Sequence, residues 1–186
     1  MQNANKIKLI IGLGNPSEEY QNTYHNVGIL AIENKMPLDL KWQTIKGKHF
    51  ACFKFNEIIW VRPLVFMNES GKAVAEALKF FKLKPEEMLV IHDDSDIVLG
   101  DYKISFKRGS AGHKGVESII QTLKTKNFYR LRIGIRPETE KKQIAKNKEQ
   151  RTKIKAADLV LKKINNQDLQ ILQEVFEKIY SSLKLR

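Results

Sequence analysis

The feature that most constrains the fold is an alternation, along the chain, of short β-branched runs with amphipathic helical stripes. Residues 6–13 form an apolar run that ends in glycines, which predicts a buried strand. Residues 88–91 and 129–135 predict further strands, and Ser70 opens a segment whose apolar positions recur three and four residues apart. This alternation predicts an α/β fold: a single domain, 1–186, with a twisted, mixed and mostly parallel β-sheet flanked by helices.

The remaining elements follow from the same patterns and from turn residues. Asn56 and Glu57 separate two apolar runs and predict a hairpin. An apolar stripe near the end of the chain predicts a C-terminal helix at 166–182. The expected segments are a helix at Val27–Lys35, strands at Phe50–Phe55, 58–61 and 101–106, and a helix at 115–123.

Composition restricts the class of protein. The chain has 186 residues with 33 basic and 21 acidic side chains, a net charge of +12, which indicates a polyanionic partner. Nucleic acid is the first candidate and an anionic membrane surface the second, while a lysine-rich composition without binding meaning is the plain alternative. Apolar runs are too short for a membrane span or a secretory signal. Cys52 is the only cysteine, which excludes an internal disulfide and favours the reducing cytoplasm.

One segment differs from the rest in composition. Residues 138–155 contain seven basic and three acidic side chains and few apolar ones. The pattern predicts a long, basic and mobile loop, or a frayed helix, and loops of this length are usually functional or disordered. Because its net charge is only part of the total, the positive charge is spread over the fold.

Two polar segments follow the first predicted strand. The glycine-rich turn at 12–17 lies where α/β proteins place ligands, but Ser17 and Pro16 do not suit a dinucleotide fingerprint, and a tight turn that presents Asn15 is the competing interpretation. His25 then lies in a polar loop before a helix. A lone histidine is often structural, but here it can share a cleft with Asn15 and act as a general base on water.

Two more polar segments precede or follow predicted elements. Asn68 is either a turn residue or a substrate ligand, and Ser70 is expected to be the N-cap of the next helix. Residues 92–96, HDDSD, are expected in a loop at a strand's carboxyl end. They suggest either a hard metal site or, in the favoured interpretation, a carboxylate that orients His25 and stabilises its imidazolium.

A basic, glycine-rich segment at 103–115 opens a helix. Lys103, Lys107 and Arg108 flank backbone amides at the expected helix start, a combination that suits phosphate. A solvated basic loop is the competing interpretation.

Together these segments resemble the bacterial-type peptidyl-tRNA hydrolase family, strongly over 6–136 and loosely over 156–182. The matching motifs occur in the family's order: IGLGNP at 11–16, Tyr20 with Thr23, HNVG at 25–28, FMN at 66–68, SG at 70–71, HD at 92–93, Asp96, AGH at 111–113, Gly115, LRIGI at 131–135 and ADLVL at 157–161.

The resemblance implies a single α/β domain that hydrolyses the ester between a peptide and the 3′-terminal ribose of tRNA. It also implies a cytoplasmic monomer that recycles tRNA from stalled translation and needs neither metal nor cofactor. By position, His25 would activate water, Asp93 would hold His25 in its basic form, and Asn15 would recognise the blocked aminoacyl group. The implied binding residues are Tyr20, Phe66, Met67, Asn68, His113 and Lys114 around the peptide and terminal adenosine, and Lys103, Lys107, Arg108 and Arg132 at the acceptor stem.

Three positions depart from the family pattern. Lys114 stands where the family usually has asparagine, Tyr24 replaces an arginine, and Ser17 replaces a glycine. Lysine donates hydrogen bonds but cannot accept them. Lys114 therefore keeps open an alternative function, an RNA-binding relative on the same fold that has lost catalysis, and a nucleotide-dependent oxidoreductase is a more distant third.

Overall fold

The computed structural model describes residues 7–138 and 156–183, so the basic segment predicted as a loop lies almost wholly outside the described residues. The helices are α1 (Val27–Lys35), α2 (Ser70–Phe80), α3 (Lys114–Leu123), α4 (Ala156–Val160) and α5 (Asn166–Leu183). The strands are β1 (Leu9–Gly12), β2 (Gln43–Thr44), β3 (Phe50–Phe55), β4 (Ile58–Pro63), β5 (Met88–Val98), β6 (Tyr102–Phe106) and β7 (Tyr129–Arg136).

The described strands form one mixed sheet in the order β2-β3-β4-β1-β5-β7-β6. The four central strands, β4, β1, β5 and β7, run parallel, and the outer pairs β2–β3, β3–β4 and β6–β7 are antiparallel. Neighbouring parallel strands end at the same edge of a sheet. The polar segments that follow β1 therefore lie beside those carried by β5.

Two apolar cores cover the faces of the sheet, which confirms the predicted α/β architecture. On one face Ile10 and Ile91 pack with Ile32 of α1 and Phe176 of α5. On the other face lie Ile11 and neighbouring apolar residues of the sheet, packed with residues of α2 and α3. Because alternate side chains point to opposite faces, a strand buried on both sides must be apolar throughout, as β1 is.

Two expectations for the polar segments were wrong. The HDDSD segment is not a loop, because β5 continues to Val98 and stays paired with β7 through Asp94 before a register shift. Ser70 is not the N-cap of α2; it is the first helical residue after Glu69, and its hydroxyl donates to the Met67 carbonyl at 2.8 Å. A 3₁₀ turn at Met67–Glu69 leads directly into the helix, so the capping position moves back by one residue.

The N-terminus of α1 packs unusually close to the ends of β1 and β5. A β-carbon added at Gly28 would lie 2.7 Å from the backbone nitrogen of Leu13 and closer still to the carbonyl oxygen of Ile91. Neither neighbour is a flexible side chain. This approach sets the position of the turn that precedes α1, and only glycine allows it.

Gly28→Ala is expected to lower the free energy of unfolding by about 3 kcal/mol, because backbone must shift to admit the methyl group. Urea unfolding of the variant and of the wild type measures the difference. Gly109→Ala is the matched control, because a β-carbon there meets nothing within 4 Å. Equal stability of the wild type and Gly28→Ala would show that the contact relaxes freely.

Candidate active site

Four elements bring the predicted polar side chains to one edge of the sheet. Asn15 follows β1, His25 lies in the 3₁₀ turn Tyr24–Asn26 before α1, Asp93 is on β5, and His113 is the N-cap of α3. The backbone nitrogen of Leu13 donates to the carbonyl of Ile91 at 2.9 Å, which extends the β1–β5 register up to this edge. The site is therefore built where two parallel strands end together.

One carboxylate oxygen joins two histidines. Asp93 Oδ1 lies 2.8 Å from His25 Nδ1 and 2.9 Å from His113 Nε2, and the Asp93 side chain is only 3% exposed. The ring centroids of His25 and His113 are 5.0 Å apart. The expectation that a carboxylate of the HDDSD segment bonds His25 is confirmed, and the second histidine was not expected in this arrangement.

The hydrogen bonds define the protons on both rings. His113 Nδ1 accepts from the backbone amides of Gly115 at 3.1 Å and Val116 at 3.3 Å, so Nε2 carries the proton that it donates to Asp93. Asp93 likewise accepts the proton on His25 Nδ1. His25 is thereby left with Nε2 as the nitrogen that can accept a proton in the cleft.

Asp93 remains an anion in this setting. Burial alone would raise the pKa of Asp93, but the two imidazoles beside it outweigh burial and hold the pKa below the ordinary range of a carboxyl group. A buried carboxylate with two N–H donors is a fixed negative charge. It can stabilise an imidazolium that forms on His25 during a reaction.

The metal interpretation of residues 92–96 finds no support in the contacts of these side chains. Asp94 accepts from Arg132 Nε at 2.7 Å, Asp96 lies 3.4 Å from Arg136, and His92 Nδ1 bonds the Asp93 carbonyl. A different group, Asp93 with the two histidines, places three ligand atoms within 4.8 Å of one another. In this group, the two short contacts to Asp93 are hydrogen bonds, because both ring nitrogens that face Asp93 carry protons.

Asn15 is held rigidly beside this cluster. Its side-chain oxygen accepts from the Met67 amide at 2.8 Å, and its backbone exchanges two hydrogen bonds with the Asn26 side chain, at 2.8 and 3.0 Å. The Asn15 Nδ2 amino group is consequently the part that can donate to a ligand. Asn26, which belongs to the HNVG motif but was not assigned to the site, is the residue that clamps this turn.

The side chains enclose a cleft of about 530 Å³. Tyr20 and Phe66 meet edge-to-face across 6.4 Å at its wall, and Phe66 is half exposed. All the residues expected around the peptide line the cleft together with the three catalytic candidates: Asn15, Tyr20, His25, Phe66, Met67, Asn68, Asp93, His113 and Lys114. Ala157, Val160 and Leu161 also line the cleft but were not assigned to the site, although the ADLVL motif at 157–161 was the sequence signal for this segment.

The expected phosphate ligands lie outside the cleft, along the β6–β7 edge. Lys103 pairs with Arg132 across the two strands, and Lys107 Nζ lies 5.4 Å from the Phe106 ring centroid. Burial lowers the pKa of Arg130, and the positive charges of Arg132 and the exposed Arg108 lower it further. The ion pair between Arg132 and the cleft residue Asp94 links this basic edge to the site.

No helix among the described residues has both the length and the apolar character required to cross a membrane.

Comparisons with known proteins agree with this architecture. The family model described as peptidyl-tRNA hydrolase matches residues 9–185. The chain is 42% identical over 147 residues to peptidyl-tRNA hydrolase of Aquifex aeolicus (75% of each chain), and 37% identical over 177 residues to that of Mycoplasma capricolum (91% of this chain, 87% of the relative). A crystal structure of Acinetobacter baumannii peptidyl-tRNA hydrolase superposes with a TM-score of 0.79 at 28% identity, covering 97% of this chain and 88% of that one. A match over nearly the whole chain in sequence and fold shows that the chain belongs to the peptidyl-tRNA hydrolase family.

Proposed function

We propose that this protein hydrolyses the ester between a peptidyl group and the 3′-terminal ribose of tRNA, and so returns tRNA from stalled translation. The observation that carries the proposal is His25, whose Nδ1 is held by Asp93 and which lines the same cleft as Asn15. Membership of the family supports the substrate class.

The arrangement suits attack by water on an activated ester. His25 Nε2 takes a proton from water as the oxygen attacks the acyl carbon, and Asp93 stabilises the resulting imidazolium. The tetrahedral intermediate then collapses, the ribose 3′-oxygen leaves with the proton from His25, and the products are free tRNA and a peptide acid. A positioned general base accelerates such a reaction by about 10²–10⁴-fold.

Recognition falls to groups that read features common to all peptidyl-tRNAs. The Asn15 amino group donates to the acylated amide of the substrate, and Asn68 orients the peptide backbone or the water. Tyr20 and Phe66 provide aromatic surface for the peptide and the terminal adenosine, and Met67 also lines the cleft. The site therefore accepts variable peptide side chains, because it contacts the peptide backbone and the terminal adenine of the tRNA.

The basic edge supplies the contact with the acceptor stem. Lys103, Lys107, Arg108 and Arg132 form a positive surface that reaches the cleft through Asp94. Phosphate contacts of this kind position a nucleic acid without reading its sequence. We propose that the protein acts as a cytoplasmic monomer of one domain, without a cofactor or metal.

The direct test is release of a labelled N-acetyl-aminoacyl group from tRNA by the purified protein in the presence of EDTA. We expect turnover of the blocked substrate and little release from unblocked aminoacyl-tRNA. Binding of tRNA without any release would instead assign the chain to an RNA-binding role.

Deletion of residues 141–153, outside the described residues, tests the basic segment. We expect weaker tRNA binding and a shallower dependence of log affinity on log salt concentration, because fewer phosphates are neutralised. Affinities of the wild type and the deletion variant across a salt series measure the two slopes. Identical slopes would show that the segment does not contact tRNA.

A further inference from the structure

In the part of the chain that the structure describes, the charged side chains that line the cleft have ionic or hydrogen-bond partners, with one exception. Each of the three cleft carboxylates has its own cationic or N–H partner: Asp93 has two imidazoles, Asp94 has Arg132, and Asp96 has Arg136. The apolar wall contributed by Ala157, Val160 and Leu161 adds no charge. Lys114 also lines the cleft, and among the described residues no carboxylate lies within ion-pair distance of its ammonium group.

Local helix stability does not explain this lysine. Lys114 is the first residue of α3, directly after the N-cap His113. Partial positive charge from the backbone amides gathers at a helix N-terminus, so a cation there is unfavourable. The ammonium and the helix terminus together make this wall of the cleft positive.

The positive wall lies close to the reacting centre. The ring of His113, the residue before Lys114, has its centroid 5.0 Å from that of His25. The α-nitrogen of any acyl group on tRNA is attached one carbon away from the carbonyl that water attacks. A substrate carbonyl placed at His25 therefore has its α-nitrogen inside the cleft that Lys114 lines.

We propose that Lys114 is a specificity-determining residue, whose charge rejects unblocked aminoacyl-tRNA by repelling its α-ammonium group. An N-acylated substrate carries a neutral amide at the same place and escapes the repulsion. The inference rests on the proposed function, because it concerns substrate choice in that reaction. It also gives the departure from asparagine a role in activity, since a cation is useful where a charged substrate must be excluded.

The expected size of the effect follows from Coulomb's law. Two unit charges ~7 Å apart change a rate ratio by about 3-fold to 50-fold when the effective dielectric constant lies between that of water and that near a protein surface. The repulsion disappears when the α-ammonium loses its proton, at a pKa of about 7.7–8.0 for an ordinary α-amino group. Discrimination by the wild type should therefore weaken as the pH rises through that range.

The experiment compares three esters of one tRNA: phenylalanyl, N-acetyl-phenylalanyl and phenyllactyl. The phenyllactyl ester replaces the ammonium by a neutral hydroxyl of similar size. Wild type, Lys114→Gln and Lys114→Arg are assayed for kcat/KM near pH 6.5 and pH 8.5, with enzyme-free hydrolysis subtracted. Circular dichroism and tRNA affinity confirm that each variant is folded.

We expect the wild type to prefer the phenyllactyl to the phenylalanyl ester, and Lys114→Gln to lose about tenfold of that preference near pH 6.5. Lys114→Arg should keep it, and the difference between wild type and Lys114→Gln should shrink near pH 8.5. An unchanged preference in Lys114→Gln, a loss in Lys114→Arg, or a folded Lys114→Gln inactive on all three esters would overturn the proposal. Failure of the wild type to release N-acetyl-phenylalanine would reject the hydrolase function itself, a separate result.

Discussion

His25→Ala is expected to reduce the turnover of N-acetyl-aminoacyl-tRNA by about 10²–10⁴-fold while leaving tRNA affinity nearly unchanged. The variant removes the nitrogen that accepts the proton from water, whereas the basic edge formed by Lys103 and Arg132 is untouched. Steady-state release of the labelled acyl group and equilibrium binding of deacylated tRNA measure the two quantities separately.

His49→Ala is the matched control for this variant. His49 also bonds a carboxylate through Nδ1, at 2.9 Å from Glu76, but it lies outside the cleft. Its loss should leave turnover within a small factor of the wild type. If His25→Ala turned over the substrate at a rate near that of the wild type, the proposed base would be wrong.

Asp93→Asn is expected to lower turnover by about 10²-fold or more at neutral pH. The amide keeps the shape of the side chain but removes the negative charge that stabilises the imidazolium of His25. Its NH₂ group also competes as a donor toward two histidines that already donate. Substrate KM should change less than kcat, because Asp93 is buried beneath the histidines. Single-turnover rates at saturating enzyme measure the chemical step directly.

The same variant has a signature in stability. Because the folded-state pKa of Asp93 lies below its unfolded value, ionised Asp93 stabilises the fold fully above the ordinary carboxyl range. That contribution is lost as the pH falls below about 4 toward the folded-state pKa. The wild type should thus lose part of its stability relative to Asp93→Asn as the pH falls below about 4. Glu76→Gln, which breaks a carboxylate–histidine pair away from the cleft, controls for a general effect of such pairs.

Full turnover by Asp93→Asn would show that Asp93 has no part in the mechanism.

Much of the fold was predictable because each element carries its own periodicity. The helix at Val27–Lys35 and the strand at Phe50–Phe55 match the expected bounds. The errors have local causes. The extension of β5 to Val98 was missed because polar residues in HDDSD do not look like strand, yet pairing with β7 satisfies their backbone groups. The N-cap was misplaced because a 3₁₀ turn and an α-helix share one continuous polar sequence around Ser70.

The α/β class, the basic character and the candidate site residues can be predicted from the sequence alone, because motifs and periodicity are local properties of the chain. How those residues act on one another depends on the folded arrangement. The tautomer of His113 depends on amides of its own helix, the charge state of Asp93 on two rings distant in sequence, and the clamped Asn15 on Asn26 and Met67. Within residues 7–138 and 156–183, Lys114 is likewise seen to lack a carboxylate partner only once Arg132 and Arg136 are placed beside Asp94 and Asp96. Hydrogen bonds and ion pairs depend on distances of a few ångströms, and folding alone sets those distances between residues far apart in the chain.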